Sequence, residues 1–347
     1  MNREGAAAAV DRAVQKLKPP FTIDNHHLNI EASFGIALYP EHGSDGNTLI
    51  KRADVAMYTA KQARSGYAVY DPTRDQNSPR RLALMGELRN AIEYNKLLLH
   101  YQPKVDLSSG LVCGVEALVR WEHPERGLVS PDDFIPLAEQ SGMIDALTER
   151  VLDAGLRQQH DWARAGVKLV LAVNLSARNL QNLQLPDKIA ALLRTWAVRP
   201  EWLELEITES AIMADPTCAL KILTALHAMG IRLTIDDYGT GYSSLAYLRR
   251  LPVNELKIDR SFVKNMTHDE SNAMIVRSTI DLGHNLGLRV VAEGVESLGI
   301  LELLRELGCN AAQGYYLSKP LPADELEHHF RRTRAASVLP VAKKKAG

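Results

Sequence analysis

The 347-residue chain has no excess of either charge: 41 Lys and Arg stand against 42 Asp and Glu. A molecule so balanced carries no long-range field toward duplex nucleic acid or an anionic membrane. Any anionic ligand must then be met by local charges or by metal ions. No apolar run approaches the ~18 residues that a membrane span requires. The opening MNREGAAAAVDRAVQKL is interrupted by Asp11 and Arg12 and reads as an amphipathic helix rather than a signal peptide. The three cysteines, Cys113, Cys218 and Cys309, are scattered and lack metal-ligand spacing. That predicts small, reduced, buried side chains in a cytoplasmic protein. Apolar material is plentiful: 46% of residues are hydrophobic and 24% charged, enough for a proper core.

A polar stretch with two prolines, Tyr70 to Pro79, breaks the chain. Upstream the pattern predicts a helix over 3–17, strands FTI and LNIEASFGIALY joined by a polar turn containing His26 and His27, a helix over 47–64 and a short strand YAVY. Downstream, eight apolar, β-rich runs recur at 97–107, 112–121, 168–176, 203–208, 232–238, 255–260, 289–295 and 311–318, with amphipathic helical stretches in most gaps. Strand alternating with helix implies parallel βαβ units, and eight of them imply closure into a barrel. The first gap, Ser108-Ser109-Gly110-Leu111, is too short for a parallel crossover. The expected fold is therefore an α/β, TIM-like (β/α)8 barrel with an antiparallel first strand, preceded by a small α+β segment.

Polar residues recur at or near the downstream strand ends: Glu116, Asn174, Glu206, Asp236, Asp237, Lys257, Glu293 and Gln313. In a barrel those ends share one face, where active sites are built. Carboxylates converging at one mouth repel unless cations neutralise them. An oxygen-rich set without a His or Cys cluster points to Mg²⁺ or Mn²⁺ rather than zinc. The adjacent Asp236 and Asp237 suit a two-ion site, a common device for phosphoester hydrolysis. Lys257 can orient water or offset phosphate charge. DDYGTGYSSL follows the fifth strand as a glycine-rich loop, without the lysine of a P-loop.

At these residues the chain resembles a known family. YQPKVDL, VEALVRW, VNLS, LEITES, DDYGTGYSSL, LKIDR, VAEGVE and QGYYLSKP follow, in order, the motifs of EAL-domain cyclic di-GMP phosphodiesterases, over about residues 80–335. The resemblance implies hydrolysis of cyclic di-GMP to linear pGpG with two Mg²⁺ or Mn²⁺ ions. It implies metal ligation by Glu116, Asn174, Glu206, Asp236, Asp237 and Glu293. Lys257 and Gln313 would hold the hydrolytic water or its surroundings, and Gln102 and Arg120 would contact substrate. Glu209 would anchor the loop Gly239–Ser244, Glu296 would support the site or touch substrate, and the barrel would form a homodimer.

Residues 1–72 resemble the closing half of a GGDEF diguanylate cyclase domain, through ASFGIALYPEHG and RADVAMYTAKQARSGYAVYD. No GGDEF or GGEEF string occurs, so this half is not expected to synthesise cyclic di-GMP; a reading frame that opens inside a longer protein, or a decayed domain, would account for it. The expected organisation is this segment over 1–72, a linker over 73–80, the barrel over 81–335 and a disordered tail over 336–347. Two other readings compete with turnover: a receptor that binds cyclic di-GMP without hydrolysing it, and a barrel phosphodiesterase for a different substrate. The complete ligand set argues against the first and the motif series against the second. Tyr315 and Tyr316 are expected to divide between barrel packing and the ligand side.

Overall fold

The eight apolar runs become eight strands whose hydrogen bonds close a ring. They are β1 (Leu97–Asp106), β2 (Val112–His123), β3 (Val170–Leu175), β4 (Leu203–Thr208), β5 (Arg232–Tyr238), β6 (Glu255–Ile258), β7 (Arg289–Ala292) and β8 (Ala311–Ala312). From β2 to β8 each strand pairs parallel with the next, and β1 closes the ring antiparallel to both β2 and β8. This is a computed structural model, and it describes residues 3–17, 21–23, 26–28, 32–63, 65–72, 79–240 and 245–327.

The reversal of β1 has a local cause. Only five residues, 107–111, link it to β2, and they turn around Asp106. Its carboxylate accepts from the Ser108 hydroxyl at 2.6 Å and the Ser109 amide at 2.9 Å. Gly110 supplies the positive φ of 71° that the turn needs.

Alternation along the strands sorts the side chains. Leu171, Leu203, Leu205, Leu233 and Leu256 are fully buried and face outward, toward the surrounding helices. The helix Ile144–Arg164 returns Leu147, Leu152, Leu156 and Trp162 to that layer. Helices Pro216–Ala228, Glu270–Asn285 and Leu298–Glu306 begin at Asp215, Asp269 and Ser297, whose side chains accept from first-turn amides. Among the alternate positions, which face inward, Gln102, Lys104, Glu116, Glu204, Glu206, Thr234, Glu255 and Lys257 are polar and buried. The lumen thus holds charges, while much of the apolar core lies between sheet and helices.

The chain divides into two compact units, Met1–Glu87 and Leu88–Gly347. Within the first, Phe21–Ile23 pairs antiparallel with His26–Leu28, and Phe34–Ile36 pairs parallel with Tyr67–Val69. The helix Gly46–Ala63 lies so close to the latter pair that a Cβ on Gly35 would meet the Ala53 carbonyl oxygen at 1.7 Å. Only glycine fits there.

Several details differ from the sequence expectation. Of LNIEASFGIALY, expected as one strand, only Leu28 and Phe34–Ile36 are in strands among its described residues. Cys113 and Cys218 are half-buried rather than buried. His26 and His27 belong to a strand, opposite Ile23 and Thr22, rather than to the turn. Helix Pro79–Glu93 starts inside the expected linker, whose residues 73–78 lie outside the described set, as do residues 241–244 of the glycine-rich loop and the tail from 328. The eighth strand is two residues long instead of eight. Beyond Ala312 the Gln313 amide still donates to the Ala292 carbonyl at 2.9 Å, and its carbonyl accepts from the Val295 amide at 3.1 Å. Gly314 then lies so close to Val295 that a Cβ would meet its backbone at 2.2 Å.

Candidate metal centre

Lys257, on the short strand β6, points into the lumen and is fully buried. Its Nζ lies 2.5 Å from Glu293 Oε1, 2.8 Å from Glu206 Oε2, 3.3 Å from Asp236 Oδ1 and 3.7 Å from Glu116 Oε2. These carboxylates come from four other strands or strand ends, so closure of the barrel is what assembles them. Asn174 Nδ2 donates to Glu116 Oε1 at 2.7 Å, and Gln313 Nε2 reaches Glu116 Oε2 at 2.6 Å. Gln313 also donates to Gln102 Oε1 at 3.0 Å, which brings the reversed β1 into the same layer.

Asp237 adopts φ 53°, a left-handed conformation rare for a residue other than glycine. Its amide donates to Asp236 Oδ1 at 2.9 Å. Such local strain persists where surroundings over-determine it and is concentrated at functional sites. One carboxylate oxygen each from Asp236, Asp237 and Glu293 lie within 4.8 Å of one another.

The electrostatics follow from one ammonium among five carboxylates. Burial opposes the charge on Lys257, but Asp236, Glu116, Glu206 and Glu293 outweigh it and hold its pKa well above the usual lysine value. These carboxylates favour Lys257 as a cation and hydrogen-bond donor. Burial also disfavours ionised Glu116, yet Lys257, Gln313 and Asn174 together bring its pKa below normal. Burial drives Glu206 well above the carboxylate range and Glu293 up to about 7, with Lys257 pulling the other way in both. Burial and the Asp236 charge push Asp237 up to about 6. The centre is thus over-supplied with negative charge, and burial favours the protonated forms of Glu206, Glu293 and Asp237.

Divalent cations fit this donor set. The ligand atoms are oxygens, three of them close enough to share a centre, and Glu206 Oε1 and Gln313 Oε1 are buried without a hydrogen bond among the described residues. Hard cations such as Mg²⁺ and Mn²⁺ take such oxygens.

The remaining expected residues lie at different distances from this core. Arg120, half-buried on β2, lines a cavity of about 490 Å³ together with Leu118, Asn174, Ser176 and Thr208. That volume is in the range of small-molecule sites. Glu209 is buried, and its Oε2 has no hydrogen bond among the described residues. Glu296 is exposed and pairs with Lys264 at 2.6 Å. Tyr316 packs against the apolar cluster around Val295 and Ile258, while Tyr315 is 61% exposed.

Two charged residues went unnoticed in the sequence. Asp259, next after β6, shares a hydrogen bond with Asp237 and caps the helix Arg260–Val263. Its place in ELKIDR, two residues after Lys257, was the available signal. Lys104 lies in the lumen below the centre, two residues after Gln102 and therefore on the same face of β1.

The architecture and the centre together define a TIM-like barrel with an oxygen-donor mouth. Residues 85–320 match the family model of the EAL domain, and the chain belongs to that family. Residues 2–66 match the model described as diguanylate cyclase, GGDEF domain. Among curated proteins, the chain is 46% identical over 323 residues to the bifunctional diguanylate cyclase/cyclic di-GMP phosphodiesterase MucR of Pseudomonas aeruginosa, covering 92% of this chain and 47% of that protein. It is 40% identical over 332 residues to the cyclic di-GMP phosphodiesterase NbdA of the same organism, covering 95% of this chain and 42% of that one. The chain thus spans less than half the length of these relatives. A solved structure described as PaMucR phosphodiesterase in complex with c-di-GMP is similar with TM-score 0.68 and 48% identity, covering 70% of this chain and 99% of that one.

Proposed function

We propose that this chain is a metal-dependent phosphodiesterase that hydrolyses cyclic di-GMP to linear pGpG. The observation that carries the reading is the set of Glu116, Asn174, Glu206, Asp236, Asp237 and Glu293 gathered around the buried Lys257. The relatives named for this activity, and the solved c-di-GMP complex, support the choice of substrate.

In this reading those six residues hold two Mg²⁺ or Mn²⁺ ions. When bound, such ions supply positive charge at the phosphoryl oxygens and make water acidic enough to attack near neutral pH. Lys257 Nζ donates toward the attacking water or the phosphate and fixes Glu206 and Glu293. Gln313 and Asn174 hold Glu116 in one orientation from either side. Arg120 and Gln102 engage the substrate, Arg120 at a phosphate, with the adjoining cavity admitting part of the dinucleotide. Glu209 anchors the loop after β5, and Glu296 supports the rim. Water oxygen bonds to one phosphorus and that atom's bond to the 3′ oxygen breaks, leaving a 3′-hydroxyl and the 5′-phosphate of pGpG.

The reading carries three further expectations: the segment before the barrel makes no cyclic di-GMP, the barrel associates as a homodimer, and the protein works in the cytoplasm. No helix among the described residues is long and apolar enough to cross a membrane. Incubation with cyclic di-GMP and Mg²⁺, followed by chromatography, tests the activity. Wild type should yield pGpG and Glu116→Ala should not. Binding without product in the wild type would replace the hydrolase with a receptor.

A further inference from the structure

A second ionic tier lies beneath the metal centre. Lys104 of β1 is 4% exposed and donates to Glu204 Oε1 of β4 at 2.6 Å and to Glu255 Oε1 of β6 at 2.7 Å. These three strands are not neighbours in the ring, so the bonds cross the lumen. Glu255 has an additional partner, Arg289, whose Nε lies 3.5 Å from Oε2. A buried ion pair is weak evidence for stability as such, because desolvation offsets much of the attraction. The tier therefore invites a different explanation.

One contact leads upward. Lys104 Nζ lies 3.8 Å from Glu206 Oε1. Glu206 is fully buried; its Oε2 accepts from Lys257 at 2.8 Å, while its Oε1 has no hydrogen bond among the described residues. The carboxylate is suspended between two ammonium groups, one from each tier. A carboxylate held at one oxygen can pivot about that bond. A cation on the far side restrains the pivot, and at 3.8 Å it does so without occupying the oxygen in a hydrogen bond.

We propose that Lys104 is a positioning residue for the metal centre: it fixes the plane of Glu206 from below and leaves Oε1 free to ligate a divalent cation. This rests on reading the mouth as a metal site. Lys104 contacts neither substrate nor the reacting atoms; it acts through Glu206. Partners that orient metal-ligating carboxylates typically contribute about 10–100-fold to metal affinity.

The test is Mn²⁺ binding alone, without substrate, followed by electron paramagnetic resonance of the free ion. It compares wild type, E204Q and K104M/E204Q, with circular dichroism melts of each. The double variant removes one charge of each sign, so the tier's net charge is unchanged and Glu255 keeps Arg289. E204Q should bind within about threefold of wild type, because Lys104 still faces Glu206. K104M/E204Q should remain folded and bind at least about tenfold more weakly. If it does not fold, the wholly neutral K104M/E204Q/E255Q takes its place, since uncharged residues of similar volume often replace buried ion clusters without loss of stability. A folded variant lacking Lys104 with wild-type Mn²⁺ affinity overturns the proposal, as does failure of both to fold, which would make Lys104 purely structural. Wild type that binds no Mn²⁺ would sink the metal-site reading itself and this proposal with it.

Discussion

Gln313 donates from Nε2 to Gln102 Oε1 at 3.0 Å, across the seam where β8 meets the reversed β1. The same nitrogen reaches Glu116 Oε2 at 2.6 Å, and Gln102 in turn donates to the Ser318 carbonyl at 3.0 Å. A carboxylate of the centre is thus oriented by an amide pair that exists because the barrel closes with one strand backwards. Replacing Gln313 with leucine keeps most of the volume and removes the bond. Turnover of cyclic di-GMP should fall about 10–100-fold with the fold retained. Full turnover in that variant would separate this amide from the chemistry.

Lys257 is the shared partner of Glu116, Glu206, Asp236 and Glu293. Lys257→Met leaves those charges uncompensated, a change that typically costs about 3–5 kcal/mol. In EDTA its melting temperature should drop well below that of wild type. Mg²⁺ should recover more of the loss than it adds to wild type, because it supplies the missing positive charge. Turnover should still fall at least about 100-fold. Equal Mg²⁺ shifts in the two proteins would contradict the charge argument.

Asp237 and Glu293 hold protons at unusually high pH, with pKa values near 6 and 7 against ordinary values of 3.8 and 4.5. Both folded-state values are raised, so their contribution to stability of the metal-free protein is fully present below the ordinary values. It is lost as pH rises through 6 and 7. A cation must displace these protons, so metal affinity runs the opposite way and should climb from pH 5.5 to 8. Calorimetry in two buffers of different ionisation enthalpy would detect proton release on Mg²⁺ binding near pH 6.5. Absence of release there would count against both carboxylates as ligands.

Asp259 touches Asp237 and also accepts from the Ser261 amide at 2.9 Å. Asp259→Asn keeps the cap and removes the charge, so melting should change by less than about 1 kcal/mol. Mn²⁺ affinity should fall about tenfold. A variant with unaltered affinity would limit Asp259 to capping.

Glu209→Ala tests the loop anchor. Turnover should fall about tenfold with a smaller change in substrate binding, as for loss of a loop that completes a site. Unchanged turnover would end that role for Glu209.

Most of the centre was legible because strand periodicity is strict. Once 203–208 and 232–238 are read as parallel strands, Glu206 and Asp236 must share a face and an end with Glu116 and Asn174. Other features were not legible, for identifiable reasons. The short β8 ends beside a close approach of Gly314 to Val295, a packing contact that no local sequence pattern specifies. His26 and His27 fit a turn by composition but pair within a two-strand ladder, since local propensity is weak against available hydrogen-bond partners.

By itself the sequence determined the number of strands, the reversal of the first and the oxygen character of the mouth. Each follows from local spacing or residue type: a four-residue link cannot cross over, and carboxylates at strand ends attract hard cations. Only the tertiary structure decided which charges meet. Because β1 runs down the barrel while its neighbours run up, Gln102 joins the tier of Glu116 and Lys257, and Lys104, two residues later, falls to the tier below. There it meets Glu204 and Glu255, 100 and 151 residues away along the chain. Period-2 alternation fixes the face a residue occupies; its depth in the barrel is set by strand direction and register across the closed ring, which no local pattern encodes.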